Sequence, residues 1–485
     1  MAKEKKASKE LTEKKTKKNK KEKKELFAEY PNLWEVRSAD DIEHTMAFAE
    51  EYKAFLDISK TEREFVNNAV EALKDVGFED IESMEKLKSG DKVYSSIKGK
   101  GLMFAVVGKD SPVKGFNILG AHIDSPRLDL KPNPLYEEDE ICFFKTHYYG
   151  GIKKYQWTTI PLAIHGVVMK KDGTKLTICV GEKDEDPIFY ITDLLPHLGS
   201  EQMSHKASEF IKGEDLNVLI GGSKLPGDDS ANACKFAIMK LLNDEYGIDE
   251  KDFVSAEIEI VPAMKARDVG FDRALIAAYG HDDKVCAYPA LMAVMEQQAP
   301  ARTVVCMLSD KEEIGSYGNS GAQSRLYENF LVELFAKSNG GYDELGYRKC
   351  IANTKMLSTD VSNAFDPKYA SVSDKKNTAY LSKGVKMEKY TGARGKSGAS
   401  DANSEFFASI LRIFAENDIP WQTGELGKVD AGGGGTISAY LAKLGMEVID
   451  CGVPVLSMHA PYEVISKIDL YFTYLAYKCF IENMK

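Results

Sequence analysis

The sequence predicts an α/β protein with a second, β-rich region inserted into it, on three observations. From Gly270 onward, short apolar runs alternate with segments of helical period, as in a sheet covered by helices. Between about Lys131 and Arg267 the texture changes to short apolar segments cut by turn and charged residues. The chain has 485 residues and is 43% hydrophobic, enough for about three domain-sized units or two large ones with sizeable cores.

Residues 1–25 hold 12 Lys and 5 Glu and no aromatic residue, a net charge of +7 against −11 for the whole chain. That composition describes a flexible basic tail better than a nucleic-acid arm. The remaining residues carry −18, which argues against an extended basic groove, so no nucleic-acid partner is expected. A helical region follows from about Glu35 to Val76. Within it Thr61-Glu-Arg-Glu64 has capping-box spacing, Phe65, Val66, Ala69, Val70 and Leu73 mark one apolar face, and Gly77 is a stop. Leu102–Val107 and Asn117–Ala121 read as strands, as do Ile160–Val168, Leu176–Val180 and Asn217–Ile220 in the insertion.

After Gly270 the order is a strand at Thr303–Leu308, a helix at Ser320–Ala336 and a strand at Lys355–Ser358. A helix at Ser404–Glu416, a strand at Met446–Cys451 and a helix at Glu463–Asn483 complete it. The expected division is a tail at 1–25, one α/β domain formed by 26–130 and 270–485, and an inserted β-rich domain at 131–269. No apolar run approaches the roughly 20 residues of a membrane helix, and the lysine-rich start lacks the apolar stretch of a signal peptide. A soluble, cytoplasmic protein without a membrane partner is expected. The eight cysteines are scattered with no C-x-x-C pair, so they read as buried reduced thiols and not as a zinc site.

Five places put His, Asp or Glu at or just beyond a strand end, where open α/β sheets bind ligands. Gly120-Ala-His122-Ile-Asp124-Ser-Pro126 lets an aspartate turn behind an imidazole and fix its tautomer; an ordinary strand-end turn is the alternative. Gly280-His-Asp282-Asp283-Lys284 offers two acids at a helix start, where acids commonly cap. Ser309-Asp310-Lys-Glu312-Glu313 follows a strand, and adjacent glutamates point apart, so one can bind a metal while the other holds a water as general base. Thr359-Asp360 and Ser457-Met-His459-Ala-Pro461 complete the set. One such site proves little. Five offering His, Asp, Glu, Asp and His meet the needs of two divalent ions sharing a carboxylate.

In this order H-I-D-S-P, H-D-D-K, D-K-E-E-I-G-S, S-T-D-V-S and S-M-H-A-P-Y-E resemble the M18 family of metallo-aminopeptidases, which includes the aspartyl aminopeptidases. Ile160-Pro-Leu-Ala-Ile-His165 and Gly432–Gly435 with Thr436 add to the likeness, which spans nearly everything after the tail. The resemblance implies one ion held by His122 and Asp360, a second by Glu313 and His459, and Asp282 bridging them. It implies Glu312 as general base, Asp124 as the partner of His122, and His165 as a substrate contact in a neighbouring subunit. The ions would be zinc, with cobalt or manganese accepting the same ligands. The implied architecture is a mixed-sheet α/β catalytic domain of the two-metal aminopeptidase type with an inserted dimerisation domain. It acts on peptides as a homo-oligomer, dimers forming a tetrahedral dodecamer.

Two departures stand out: His281 and Asp283 flank Asp282 where Leu and Asn are common, and Gly384–Tyr390 offers both charge signs where aspartyl-specific members offer a cation. Two other functions compete with the peptidase. A two-metal amidase or carboxypeptidase would need a cationic clamp, for which Arg394 and Lys396 are the clustered candidates. A non-catalytic scaffold would have no use for Glu312.

Overall fold

The computed structural model describes residues 26–485, so the expectation for the tail at 1–25 lies outside the described residues. A nine-stranded mixed sheet forms the centre. Its strands lie in the order Glu79–Asp80, Lys92–Ile97, Gly101–Val106, Val304–Ser309, Asn117–His122, Lys355–Thr359, Glu447–Gly452, Val385–Glu388 and Trp421–Thr423. The four from Val304–Ser309 to Glu447–Gly452 run parallel, with Leu308 beside Ala121 and Leu119 beside Leu357.

Parallel strands covered on both faces must be apolar on both, and these are. Leu119, Ala121, Cys306 and Leu308 pack under the helices Ala39–Asp57, Glu62–Asp75, His281–Met295 and Lys467–Asn483. Ile118, Val305, Met307 and Met356 pack under Arg325–Asn339 and Glu344–Asn353. A second, five-stranded sheet joins Arg267–Val269, Leu275–Ala278, Glu463–Ser466, Pro454–Leu456 and Ser362–Asn363. The third is a six-stranded antiparallel sheet built from residues 127–262, with its own core around Trp157, Leu162, Leu216 and Ile260.

Several expectations need correction. The single helical region at Glu35–Val76 is three helices, Leu33–Val36, Ala39–Asp57 and Glu62–Asp75. Ser38 with Asp41 and Thr61 with Glu64 each form a capping box, and each box starts a new helix. The last helix starts at Lys467, because Glu463–Ser466 pairs as a strand with Leu275–Ala278. Among the described residues two helices of ten or more residues were missed, Glu344–Asn353 and Ala233–Tyr246. The second has apolar residues all round: Cys234 is buried while Phe236 and Leu241 are exposed, which blurs the helical stripe. Cys179 is exposed, the exception among eight free thiols.

Candidate metal centre

Four of the expected residues sit at the ends of three adjacent parallel strands. His122 closes Asn117–His122, Glu312 and Glu313 follow Val304–Ser309, and Asp360 follows Lys355–Thr359. The other two come from the five-stranded sheet, Asp282 just after Leu275–Ala278 and His459 in the connection between Pro454–Leu456 and Glu463–Ser466. Asp282 is not a helix cap. Its backbone (φ −80, ψ 109) is not helical, and it is 3% exposed.

The cluster is organised around Asp282. His122 Nε2 lies 3.3 Å from Asp282 Oδ1, and His459 Nε2 lies 3.2 Å from Oδ2. Glu313 Oε2 is 3.6 Å from His459 Nε2, and Glu312 Oε2 is 3.9 Å from His122 Nε2. His122, Asp282 and Glu313 bring ligand atoms within cation-binding reach of one another, and so do His122, Asp283 and Asp360. Both imidazoles are oriented through Nδ1: that of His122 is 3.1 Å from the Asp124 carbonyl, that of His459 2.9 Å from the Gly151 carbonyl. Each ring therefore turns Nε2 toward Asp282. Glycine at 151 permits the approach, since a Cβ there would lie 3.3 Å from His459 Nδ1.

Asp124 does more than the sequence suggested. Its Oδ1 is 3.3 Å from His122 Nδ1 and accepts from the Glu312 backbone N–H at 3.1 Å. Its Oδ2 accepts from the Glu313 N–H at 3.2 Å and the Tyr149 hydroxyl at 2.7 Å. One fully buried carboxylate thus ties the first histidine to the loop of both glutamates. Asp124→Asn replaces one acceptor oxygen with a donor amide facing these donors. Activity or metal affinity should fall about 10–100-fold, read by steady-state kinetics and metal titration; wild-type values for both would make Asp124 dispensable.

Glu463 was missed, although it ends the S-M-H-A-P-Y-E stretch. It is 1% exposed, and its two oxygens accept from the backbone N–H groups of Asp282 (2.9 Å) and His459 (2.6 Å), joining the two elements that carry those side chains. An acid four residues after a candidate ligand was the signal available. Lys284 donates to Ser125 Oγ at 2.6 Å and Ser125 to the Asp282 carbonyl at 2.9 Å, which fastens the H-I-D-S-P turn to the same centre.

His165 does not join the cluster of its own chain. Its Nδ1 lies 2.6 Å from Glu64 Oε1 and its Nε2 2.9 Å from Glu182 Oε1. Cys179, opposite it in the ladder, gathers with Glu64 and His165 in a group that no sequence spacing announced. Arg394 and Lys396 are exposed and line no part of the cavity beside the metal cluster.

The donor set fits cations. Burial pushes the Glu312 carboxyl up to about 7 and drives those of Glu313, Asp283 and Asp360 well above the usual range. Burial also opposes the charge of Asp282, yet hydrogen bonds from His122 and His459 hold that carboxyl well below it. Glu313 Oε1 and Asp283 Oδ1 are buried with no hydrogen-bond partner. Acids packed this densely beside two imidazoles suit divalent ions, which supply the missing positive charge.

The family model described as "Aminopeptidase I zinc metalloprotease (M18)" matches residues 55–481. A Clostridium acetobutylicum protein described as a probable M18 family aminopeptidase 1 is 51% identical over 463 residues, covering 95% of this chain and 99% of that protein. The crystal structure of an M18 aminopeptidase from Thermotoga maritima superposes with a TM-score of 0.91 at 46% identity, covering 94% of this chain and all of that one. The dodecamer of S. cerevisiae mApe1 shares the fold, with a TM-score of 0.71 at 21% identity over 90% of this chain and 96% of that one.

Proposed function

The chain belongs to the M18 family of zinc metallo-aminopeptidases and is a peptide hydrolase, and on that premise we propose how its residues divide the work. His122 and Asp360 hold one ion, Glu313 and His459 a second, and Asp282 is shared. The observation that carries this reading is Asp282, whose two oxygens each face a different imidazole Nε2. Zinc suits the donors, and cobalt and manganese accept them too. When bound, the two ions supply positive charge that acidifies a water and polarises the scissile carbonyl.

Glu312 takes the proton of the attacking water at its carboxylate and passes it to the departing amine. Asp124 keeps Glu312 in place through its backbone N–H. The carboxylates about the centre receive the free α-amine of the substrate, which confines cleavage to the first residue. An amidase or carboxypeptidase lacks support, because neither Arg394 nor Lys396 reaches the cavity. We place the protein in the cytoplasm, in keeping with its eight unpaired thiols; among the described residues no helix is long and apolar enough to cross a membrane.

The test is a panel of aminoacyl-nitroanilides assayed after chelation and after return of each ion. Activity should vanish on chelation and return with zinc, cobalt or manganese. Full activity in chelator would overturn the reading.

We also propose that 26–130 with 270–485 is the catalytic domain, that 131–269 is a dimerisation domain, and that dimers assemble into a tetrahedral dodecamer. The resemblance and the dodecameric structural relative support this. In such an assembly His165 contacts substrate in a neighbouring subunit. His165→Ala should then lose activity while keeping both metals, and mixing it with Glu312→Gln should restore part of the rate. A mixed dimer can pair an intact base on one chain with an intact His165 from the other. With subunit exchange confirmed by mass, mixtures as inactive as either parent would confine His165 to its own subunit.

A further inference from the structure

The cavity beside the metal cluster is also lined by residues that the chemistry above does not use. It holds about 340 Å³, toward the small end of the ~300–1,000 Å³ typical of ligand pockets, a size suited to one residue rather than a long peptide. Asp282, Glu312, Glu313, Asp360 and His459 are part of its lining. The lining also includes Thr391, Leu426 and Met458 with a single further charged group, Glu388, at the end of the strand Val385–Glu388. No lysine or arginine among the described residues lines the cavity.

Glu388 does have a cationic partner, but one withdrawn from the cavity. Lys386 donates to Glu388 Oε2 at 2.9 Å, is 0% exposed and forms no part of the lining. That ammonium also feels the negative charge of Asp450 and Asp360. Asp450 is itself buried and accepts from Thr436 Oγ1 at 2.6 Å. That one ammonium faces three acids, Glu388, Asp450 and Asp360, and of the ion pair it is Glu388 that lines the cavity. A cationic side chain there gains a charge-assisted hydrogen bond, and its methylene stem finds Leu426 and Met458 to cover it. An acidic side chain there meets a carboxylate and no cationic side chain of the lining, an arrangement that rejects it.

We infer that Glu388 reads the side chain of the substrate's first residue, and that this aminopeptidase prefers N-terminal lysine or arginine to aspartate or glutamate. The inference rests on the two-metal reading, which puts the scissile bond at the Asp282 cluster.

The experiment compares lysyl-, arginyl-, leucyl- and aspartyl-p-nitroanilides on the zinc-loaded, full-length oligomer and on Glu388→Gln. The wild type should favour lysyl over aspartyl substrate by at least about tenfold in kcat/KM. Glu388→Gln should lower the ratio of lysyl to leucyl kcat/KM about tenfold or more, with the loss mainly in KM for the cationic substrates. Metal content and assembly mass of the variant serve as its folding check. The wild-type lysyl-to-aspartyl ratio decides the matter by itself if the variant does not fold. Leucyl turnover with aspartyl favoured over lysyl overturns this inference and leaves the two-metal reading standing. So does a variant in which all four substrates fall alike, which would make Glu388 an anchor for the α-amine. An enzyme that hydrolyses none of the four overturns both.

Discussion

Glu312→Gln should yield a folded, metal-loaded protein whose turnover drops by roughly 10²–10⁴-fold, the range a general base contributes. The amide keeps the shape of the side chain but cannot accept a proton from water. Three features make this a clean test. Glu312 is held through its backbone, since its N–H donates to Asp124, so the loop does not depend on the carboxylate. Its Oε2 stands 3.9 Å from His122 Nε2, farther than either Asp282 oxygen stands from its imidazole, which suits a group beside the ligands. Burial raises its carboxyl to about 7, and two bound cations would pull it down from there, so the group is ionised and basic at neutral pH. The measurement pairs kcat on a peptide substrate with elemental analysis and a melting curve. Near-normal turnover with metal present would remove Glu312 from the role.

His122→Ala and His459→Ala should fail differently, losing metal along with rate. Each removal takes away one of the two imidazoles that face Asp282 and leaves one carboxylate oxygen without its partner. Altering residues that merely orient a ligand typically costs about 10–100-fold in affinity or activity, so removal of a ligand itself should cost more. The remaining carboxylates then crowd together with less cationic charge among them, and the melting temperature should fall with metal occupancy. Elemental analysis of the purified variants is the decisive measurement. Two full equivalents retained in either variant would mean that its histidine is structural.

The two kinds of variant together separate the roles. Glu312→Gln should leave metal content intact and remove chemistry, whereas the histidine variants should remove both. Asp124→Asn belongs between them, because Asp124 touches both His122 and the Glu312–Glu313 loop.

Much of this protein was legible residue by residue. The apolar runs Asn117–Ala121, Thr303–Leu308 and Lys355–Ser358 were readable because a parallel strand buried on both faces has no polar alternation to hide it. The chemistry-bearing residues were readable because His and acidic residues directly after such runs are a local pattern. What one segment cannot reveal is which strand ends become neighbours. The order Val304–Ser309, Asn117–His122, Lys355–Thr359 brings Glu312, His122 and Asp360 together, and it is set by register across the sheet. Only the fold also shows that Glu463–Ser466 is a strand, that Glu463 joins Asp282 to His459, and that Glu388 meets the cavity while Lys386 lies buried. Sequence periodicity records what each residue buries against its own element. A long-range hydrogen bond or a shared cavity leaves no period in the chain, because its partners are chosen by packing between elements far apart in sequence.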